Sequence, residues 1–207
     1  MIAGLTEDLA PVRAFNPRDG AMLVAGAGAL TVLGVLLVEG FWHGIVAGDA
    51  SPFFWVTNGL LVILGLASAS AVIMMASPRV GNRYDAPKWA SAMLAVLPIA
   101  ALITVIPHLQ EGTYSMSGMF ATHCIQASLI ASLLTGAALT LWLRCGAPVS
   151  LNLTGWFTGL AAGALGTAAF GISCSYDSVT HLGISHVLPV VVMAIAGRLV
   201  VPPLVRW

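Results

Sequence analysis

The residues best suited to chemistry in this sequence are histidines, cysteines and one acidic residue, all near the ends of apolar stretches. Imidazole nitrogens and thiolates are good ligands for zinc and copper, and paired thiols can also form a disulfide. An ionisable residue inside an apolar span is costly and usually has a partner or a role. The candidate metal ligands are His43, His108, His123, His181, His186 and Glu39, and the candidate thiol pair is Cys124 and Cys174.

Two interpretations of these side chains stay open. The histidines are either ligands or interfacial anchors, since amphipathic side chains suit helix ends. The cysteines are either a reactive pair or small packing residues. No close ligand spacing such as Cys-x-x-Cys or His-Glu-x-x-His is present. A metal or redox site, with a heavy-metal ion as its cofactor, is therefore a hypothesis that depends on how the surrounding elements bring these residues together.

Those elements are expected to be membrane-spanning helices. The chain of 207 residues is 58% hydrophobic and only 8% charged, whereas a soluble domain carries about 25% charged residues. Lipid must therefore be the outer solvent, and the zero net charge argues against a nucleic-acid-binding surface. A helix needs about 20 apolar residues to cross the hydrocarbon core. Six stretches qualify, at about 21–46, 54–76, 89–108, 118–143, 152–173 and 181–203.

The sequence thus predicts an all-α polytopic membrane protein built as one six-helix transmembrane bundle. All eight basic residues fall at one face of that bundle, and the positive-inside rule puts this face, with both termini, in the cytoplasm. Residues 1–19 are then a cytoplasmic segment and 20–207 the transmembrane domain. The candidate ligands and the pair Cys124 and Cys174 all lie toward the outer face, where disulfides persist. Cys145 lies on the cytoplasmic side and should stay reduced.

Enzyme motifs are missing from the sequence. It has no Walker loop, no dinucleotide glycine fingerprint and no nucleophile elbow, so we predict that the protein is not an enzyme. Two other functions stay open on the residues alone: a small-molecule or metal transporter or carrier, and a membrane thiol-redox protein.

A stripe of small residues recurs every four positions in the fifth stretch. Such a face lets another helix approach closely. The partner is expected to be a helix of the same bundle, and the alternative is the same face of a second copy in a homodimer. The glycines of the stripe are Gly155, Gly159, Gly163 and Gly171, with Thr167 between them.

Several short motifs together resemble one known family. They are Leu-Arg-Cys-Gly-Ala-Pro at 143–148, Gly-Leu-Ala-Ala-Gly-Ala-Leu-Gly at 159–166, Cys-Ser-Tyr-Asp-Ser at 174–178 and a terminal Arg-Trp. In order and spacing they are similar to the NrsF-type family of bacterial membrane anti-sigma factors (negative regulator of sigma F). Residues 5–13 also resemble the opening segment of that family, and Cys124 falls where the family has its other cysteine.

The resemblance implies a function and a set of roles. Family members hold an extracytoplasmic-function sigma factor at the bacterial inner (cytoplasmic) membrane, away from RNA polymerase. Cys124 and Cys174 would be the pair that senses heavy-metal or oxidative stress. Members usually begin several residues before Met1, so either the start lies upstream or this segment is abbreviated. The residues of the segment that would grip the sigma factor are Leu5, Asp8, Leu9, Pro11, Val12 and Arg13.

Overall fold

The computed structural model describes residues 16–77 and 122–206, with isolated helical positions at 92, 95, 99, 103 and 106 between them. In these residues every regular element is a helix, which confirms the predicted all-α class. The predicted third span and the segment 1–13 fall on residues outside this description, apart from those isolated positions. The helices are α1 (Pro17–Val38), α2 (Gly44–Ala47), α3 (Pro52–Met75), α4 (Thr122–Arg144), α5 (Leu151–Gly171), α6 (Val179–Ser185) and α7 (Val187–Val205).

Four helical stretches of the described chain are long and apolar enough to cross a membrane. They are Pro17–Val38, Pro52–Met75, Thr122–Arg144 and the run Val179–Val205 that contains α6 and α7. They overlap the first, second, fourth and sixth predicted spans, so a membrane protein is the class that this part of the chain supports.

Helix α5 is the central helix of the described bundle. It contacts α1, α3, α4 and α7, and 16 of its 21 residues are buried. A helix enclosed by other helices does not need large apolar side chains toward lipid, so small residues can dominate it. This explains why α5 has a spanning length but is rich in glycine, alanine and threonine.

The first spanning helix is shorter than the predicted stretch 21–46. Helix α1 ends at Val38 because Gly40 adopts φ 81°, a left-handed conformation that favours glycine. Residues 44–47 form the separate short helix α2. Glu39 therefore follows the last turn of α1, whereas the predicted stretch 21–46 would place it inside a longer span.

The glycine stripe of α5 lies against α7 of the same chain. A Cβ atom on Gly159 would overlap the carbonyl oxygen of Met193, and one on Gly155 would lie 2.6 Å from the carbonyl oxygen of Gly197. At the C-terminal end of α5, a Cβ on Gly171 would overlap the side chain of Asn58 in α3. This stripe therefore packs against helices of the same chain, as the intramolecular interpretation predicts.

The sixth predicted span is interrupted near its N-terminal end. Helix α6 ends at Ser185 and α7 begins at Val187, so the buried residue His186 lies at the break. Pro189 accounts for it, because proline has no N–H to donate to the carbonyl of Ser185, and its ring crowds that carbonyl.

Alanine at Gly159 is expected to force α5 away from α7, and overpacking of this kind costs about 1–3 kcal/mol. The matched control is Gly26→Ala, because Gly26 is exposed and a Cβ there meets nothing within 4 Å. Alanine is also the better helix former by about 0.5–1 kcal/mol. The measurement is thermal unfolding of the detergent-solubilised protein by circular dichroism. Equal midpoints for the two variants would contradict the close approach of α5 and α7.

Candidate metal and thiol site

Cys124 and Cys174 meet in the interior although they are far apart in the sequence. Cys124 lies in the first turn of α4 and Cys174 follows the end of α5, and their sulfur atoms are 3.8 Å apart. Both thiols are free, and each residue is only 3% exposed. Phe170 packs in the same small cluster. The hydrogen bond with Cys124 and the burial of the site raise the pKa of the Cys174 thiol above its ordinary value.

His181 is the third group of this cluster. Its Nε2 atom lies 3.5 Å from the Cys174 sulfur, and its side chain is almost completely buried. The ligand atoms of Cys124, Cys174 and His181 all lie within 4.8 Å of one another. Two thiols and an imidazole are the donor set that zinc and related ions prefer, so these three residues could hold a metal ion.

The loop between α5 and α6 holds these side chains in place through its own polar residues. The carboxylate of Asp177 accepts hydrogen bonds from the backbone N–H and the hydroxyl of Ser51, which caps the N-terminus of α3. Ser178 caps α6, and its hydroxyl oxygen accepts from the N–H of His181 at 3.2 Å. Asp177 thus anchors the loop to α3, and Ser178 sets where α6 begins and where His181 stands.

A second pair of hydrogen bonds joins this loop to the end of α1. The backbone N–H of Trp42 donates to the carbonyl of Ile172 at 3.1 Å. The hydroxyl of Ser173 donates to the carbonyl of Gly40. The loop after α1 and the loop between α5 and α6 are therefore tied together beside the thiol pair.

His186 lies next to His181 but has a different environment. It is completely buried, and neither ring nitrogen has a hydrogen-bond partner among the residues that the structure describes. Its ring centroid is 5.5 Å from that of His181 and 6.2 Å from that of Phe170. A buried polar group without a partner is unusual, because most such groups in native proteins are satisfied.

Glu39 and His123 form an exposed ion pair just outside the cluster. The Nε2 atom of His123 is 2.9 Å from a carboxylate oxygen of Glu39. Because His123 precedes Cys124 in the chain, this contact joins the end of α1 to the turn of α4 that carries the first thiol. These two residues are engaged with each other, and they do not belong to the buried ligand group.

The remaining candidates are placed elsewhere. His43 is exposed at the start of α2, where its ring lies edge-on to Phe41. Cys145 is exposed and follows the other end of α4. His108 and the segment that carries Leu5 to Arg13 lie outside the described residues.

Sequence reasoning did not single out Ser51 and Asp177 as positioning residues. Their pairing spans 126 positions, which no local pattern reveals. The available signals were local ones: Ser51 before Pro52 and Ser178 after Asp177 are both typical helix-start patterns. They locate the ends of α3 and α6, and hence two of the elements around the site.

Comparisons with known proteins agree with the resemblance found in the motifs. The sequence model of a family described as "Negative regulator of sigma F" (NrsF) matches residues 5–207. The chain is also similar to a protein of Azospira oryzae (strain ATCC BAA-33 / DSM 13638 / PS) described as "Probable anti-sigma-F factor NrsF". The two are 24% identical over 182 residues, which is 88% of this chain and 85% of that protein. No solved structure matches.

The family description is that of a regulator rather than an enzyme, and it implies a sigma factor as the partner. Because the match extends over nearly the whole sequence, the chain belongs to the family of negative regulators of sigma F.

Proposed function

We propose that the protein is a membrane-bound anti-sigma factor that holds an extracytoplasmic-function sigma factor at the bacterial inner membrane. Metal or oxidative stress at the outer face acts on Cys124 and Cys174 and releases the sigma factor. The observation that carries this proposal is the buried pair of free thiols, 3.8 Å apart, in a chain whose family description names sigma F. A thiol pair at this distance can respond to an oxidant or to a thiophilic ion.

The described helices support a six-span topology with both termini inside. Helices α1 and α4 are antiparallel, because Gly20 near the start of α1 lies against Trp142 near the end of α4, whereas Glu39 meets His123 at the opposite ends. The end of α3 is at the same side as the end of α4, since the N–H of Ala147 donates to the carbonyl of Ala76.

That arrangement puts residues 77 and 122 at opposite ends of the bundle. A span at 89–108 would join these two ends, so this arrangement supports the predicted third span. Arg18, Arg144 and Arg206 all belong to the end where α1 begins and where α4 and α7 finish. The positive-inside rule makes this end the cytoplasmic one, so the thiol pair is at the outer end.

Binding of the sigma factor is assigned to the segment before α1. A short amphipathic segment with little structure of its own can become ordered in a groove of its partner. Helix α1 begins at Pro17, directly after this segment, so a movement of α1 is transmitted to it. The residues proposed for the grip are Leu5, Asp8, Leu9, Pro11, Val12 and Arg13.

We propose that the contact between Glu39 and His123 connects the thiol pair to the segment that binds the sigma factor. A change at Cys124 displaces the first turn of α4, and His123 in the same turn is hydrogen-bonded to the end of α1. The other end of α1 packs on α4 through Gly20 and Trp142. The signal thereby shifts the bundle between two packings and changes the presentation of the N-terminal segment.

Deletion of residues 1–13 is expected to abolish binding of the sigma factor and leave the bundle folded. The experiment is co-purification of the detergent-solubilised protein with its candidate sigma factor, for wild type, the deletion and the control Thr6→Ala. Wild type and Thr6→Ala should retain the partner, and the deletion should lose it at an unchanged unfolding midpoint. If the deletion variant still retains the sigma factor, or if none of the three proteins retains it, this role of residues 1–13 is rejected. Assays of transport and of thiol turnover would then be the next experiments.

Mild oxidation is expected to join Cys124 and Cys174 in one chain. The two thiols together give up two electrons and two protons to the oxidant, and the sulfur atoms approach to about 2.05 Å. In a Cys145→Ser background, a maleimide applied under denaturing conditions should label two thiols before oxidation and none afterwards. The protein should also stay monomeric on a non-reducing gel. Two labelled thiols after oxidation would show that the pair does not react.

Glu39→Gln is expected to weaken the response without weakening basal binding. The pair with His123 is exposed, so its loss should change stability by no more than about 1 kcal/mol. The control is Asp49→Asn, an exposed carboxylate in the adjacent loop. Release of the sigma factor after addition of oxidant or Cd²⁺ should fall several-fold in Glu39→Gln only. Equal release of the sigma factor from both variants would show that this contact does not transmit the signal.

A further inference from the structure

The unsatisfied imidazole of His186 requires an explanation. It is completely buried, both ring nitrogens lack a partner among the described residues, and the adjacent ring is that of His181. Leaving such a group unpaired opposes folding, and an ion that the protein normally binds is one of the usual reasons for it. His186 also lies at a helix break, where its backbone position is set by Pro189.

The neighbouring thiols have the separation that a bound ion requires. Two thiolates at about 2.3 Å from a tetrahedral ion lie roughly 3.8 Å from each other, and the sulfur atoms of Cys124 and Cys174 are 3.8 Å apart. His181 presents its Nε2 atom to the same point, 3.5 Å from one of the sulfurs. Three candidate ligands therefore already lie close together, and the His186 ring lies beside that of His181.

We propose that Cys124, Cys174, His181 and His186 bind one thiophilic divalent cation of the zinc class, such as Zn²⁺ or Cd²⁺. His186 is the fourth ligand in this proposal, because its ring centroid is 5.5 Å from that of His181 and it has no other polar partner among the described residues. This inference rests on the proposed function in one respect, that the ion is a signal for release of the sigma factor. The ligand set itself is drawn from the geometry alone.

The charges in the site favour this class of ion. Two thiols lose two protons on binding, so two thiolates and a dication form a neutral unit. A neutral unit suits a buried position among apolar side chains such as Phe170, which packs in one cluster with both cysteines. Thiolate and imidazole ligands select zinc, cadmium and copper over magnesium and calcium, which prefer oxygen.

The ion and the disulfide exclude each other at this site. Forming the disulfide removes both thiolate ligands, so an occupied site should protect Cys124 and Cys174 from oxidation. Glu39 and His123 are not part of the ligand set, because they are exposed and paired with each other.

The test is titration of the reduced, chelator-treated, full-length protein in detergent with Co²⁺. Wild type should bind one equivalent and develop the intense thiolate-to-cobalt absorption and the d–d bands of a tetrahedral site, and Cd²⁺ should displace it. His43→Ala and Cys145→Ser are the matched controls and should bind as wild type does. Absence of these bands in wild type would overturn the proposal.

Two variants test the histidines separately. His186→Phe replaces the buried imidazole by an apolar ring of similar shape, so it should fold and still weaken Co²⁺ binding by roughly 10-fold or more, with altered d–d bands. His181→Asn should weaken binding at least as much, with folding checked by circular dichroism. Unchanged cobalt affinity and spectrum in a folded His186→Phe protein would remove His186 from the site.

Co-purification with the sigma factor separates this inference from the proposed function. Loss of Co²⁺ binding with the partner retained would overturn the metal site and leave the regulator. Tetrahedral Co²⁺ binding in a protein that binds no sigma factor would support the site and overturn the regulator.

Discussion

The close approach of α5 to its neighbours is the constraint on which the site depends. Helices in lipid gain little from hiding apolar surface from one another, so they associate through tight packing. Glycine allows it on two sides of α5: Gly155, Gly159 and Gly163 face α7, and a Cβ on Gly166 would collide with Ser132 in α4. With α5 held this close to α4, its C-terminal end brings Cys174 to the first turn of α4, where Cys124 lies.

Four of the six predicted spans overlap long apolar helices of the described chain, because long apolar runs are a strong signal. Which face of each helix packs inside the bundle could not be predicted. Lipid and the bundle interior are both apolar, so hydropathy does not distinguish the two surroundings. The sequence therefore placed Cys124 and Cys174 at the same end of the bundle but gave no distance between them. It also extended the first helix too far, since the left-handed turn at Gly40 ends α1 inside a stretch that is otherwise apolar.

The histidines illustrate the same limit in more detail. As residues near helix ends they looked alike in the sequence, yet the four in the described chain have three different environments. His43 is exposed, His123 is paired with Glu39, and His181 and His186 are buried. Two local signals near the buried pair were readable, the helix-start pattern at Ser178 and the proline three residues after His186. They locate the ends of α6, but only the packing of α6 against other helices brings His181 to the thiols.

The two proposed signals act on the site in different ways. A bound ion keeps the sulfur atoms roughly 3.8 Å apart and draws the imidazoles of α6 and of the helix break inward. A disulfide needs about 2.05 Å between the sulfurs, so it pulls the first turn of α4 toward the end of α5 and leaves the imidazoles free. Both changes alter the surroundings of Cys124, and His123 beside it contacts Glu39 at the end of α1. Two chemically distinct stresses can therefore reach the same helix, and through it the segment proposed to hold the sigma factor.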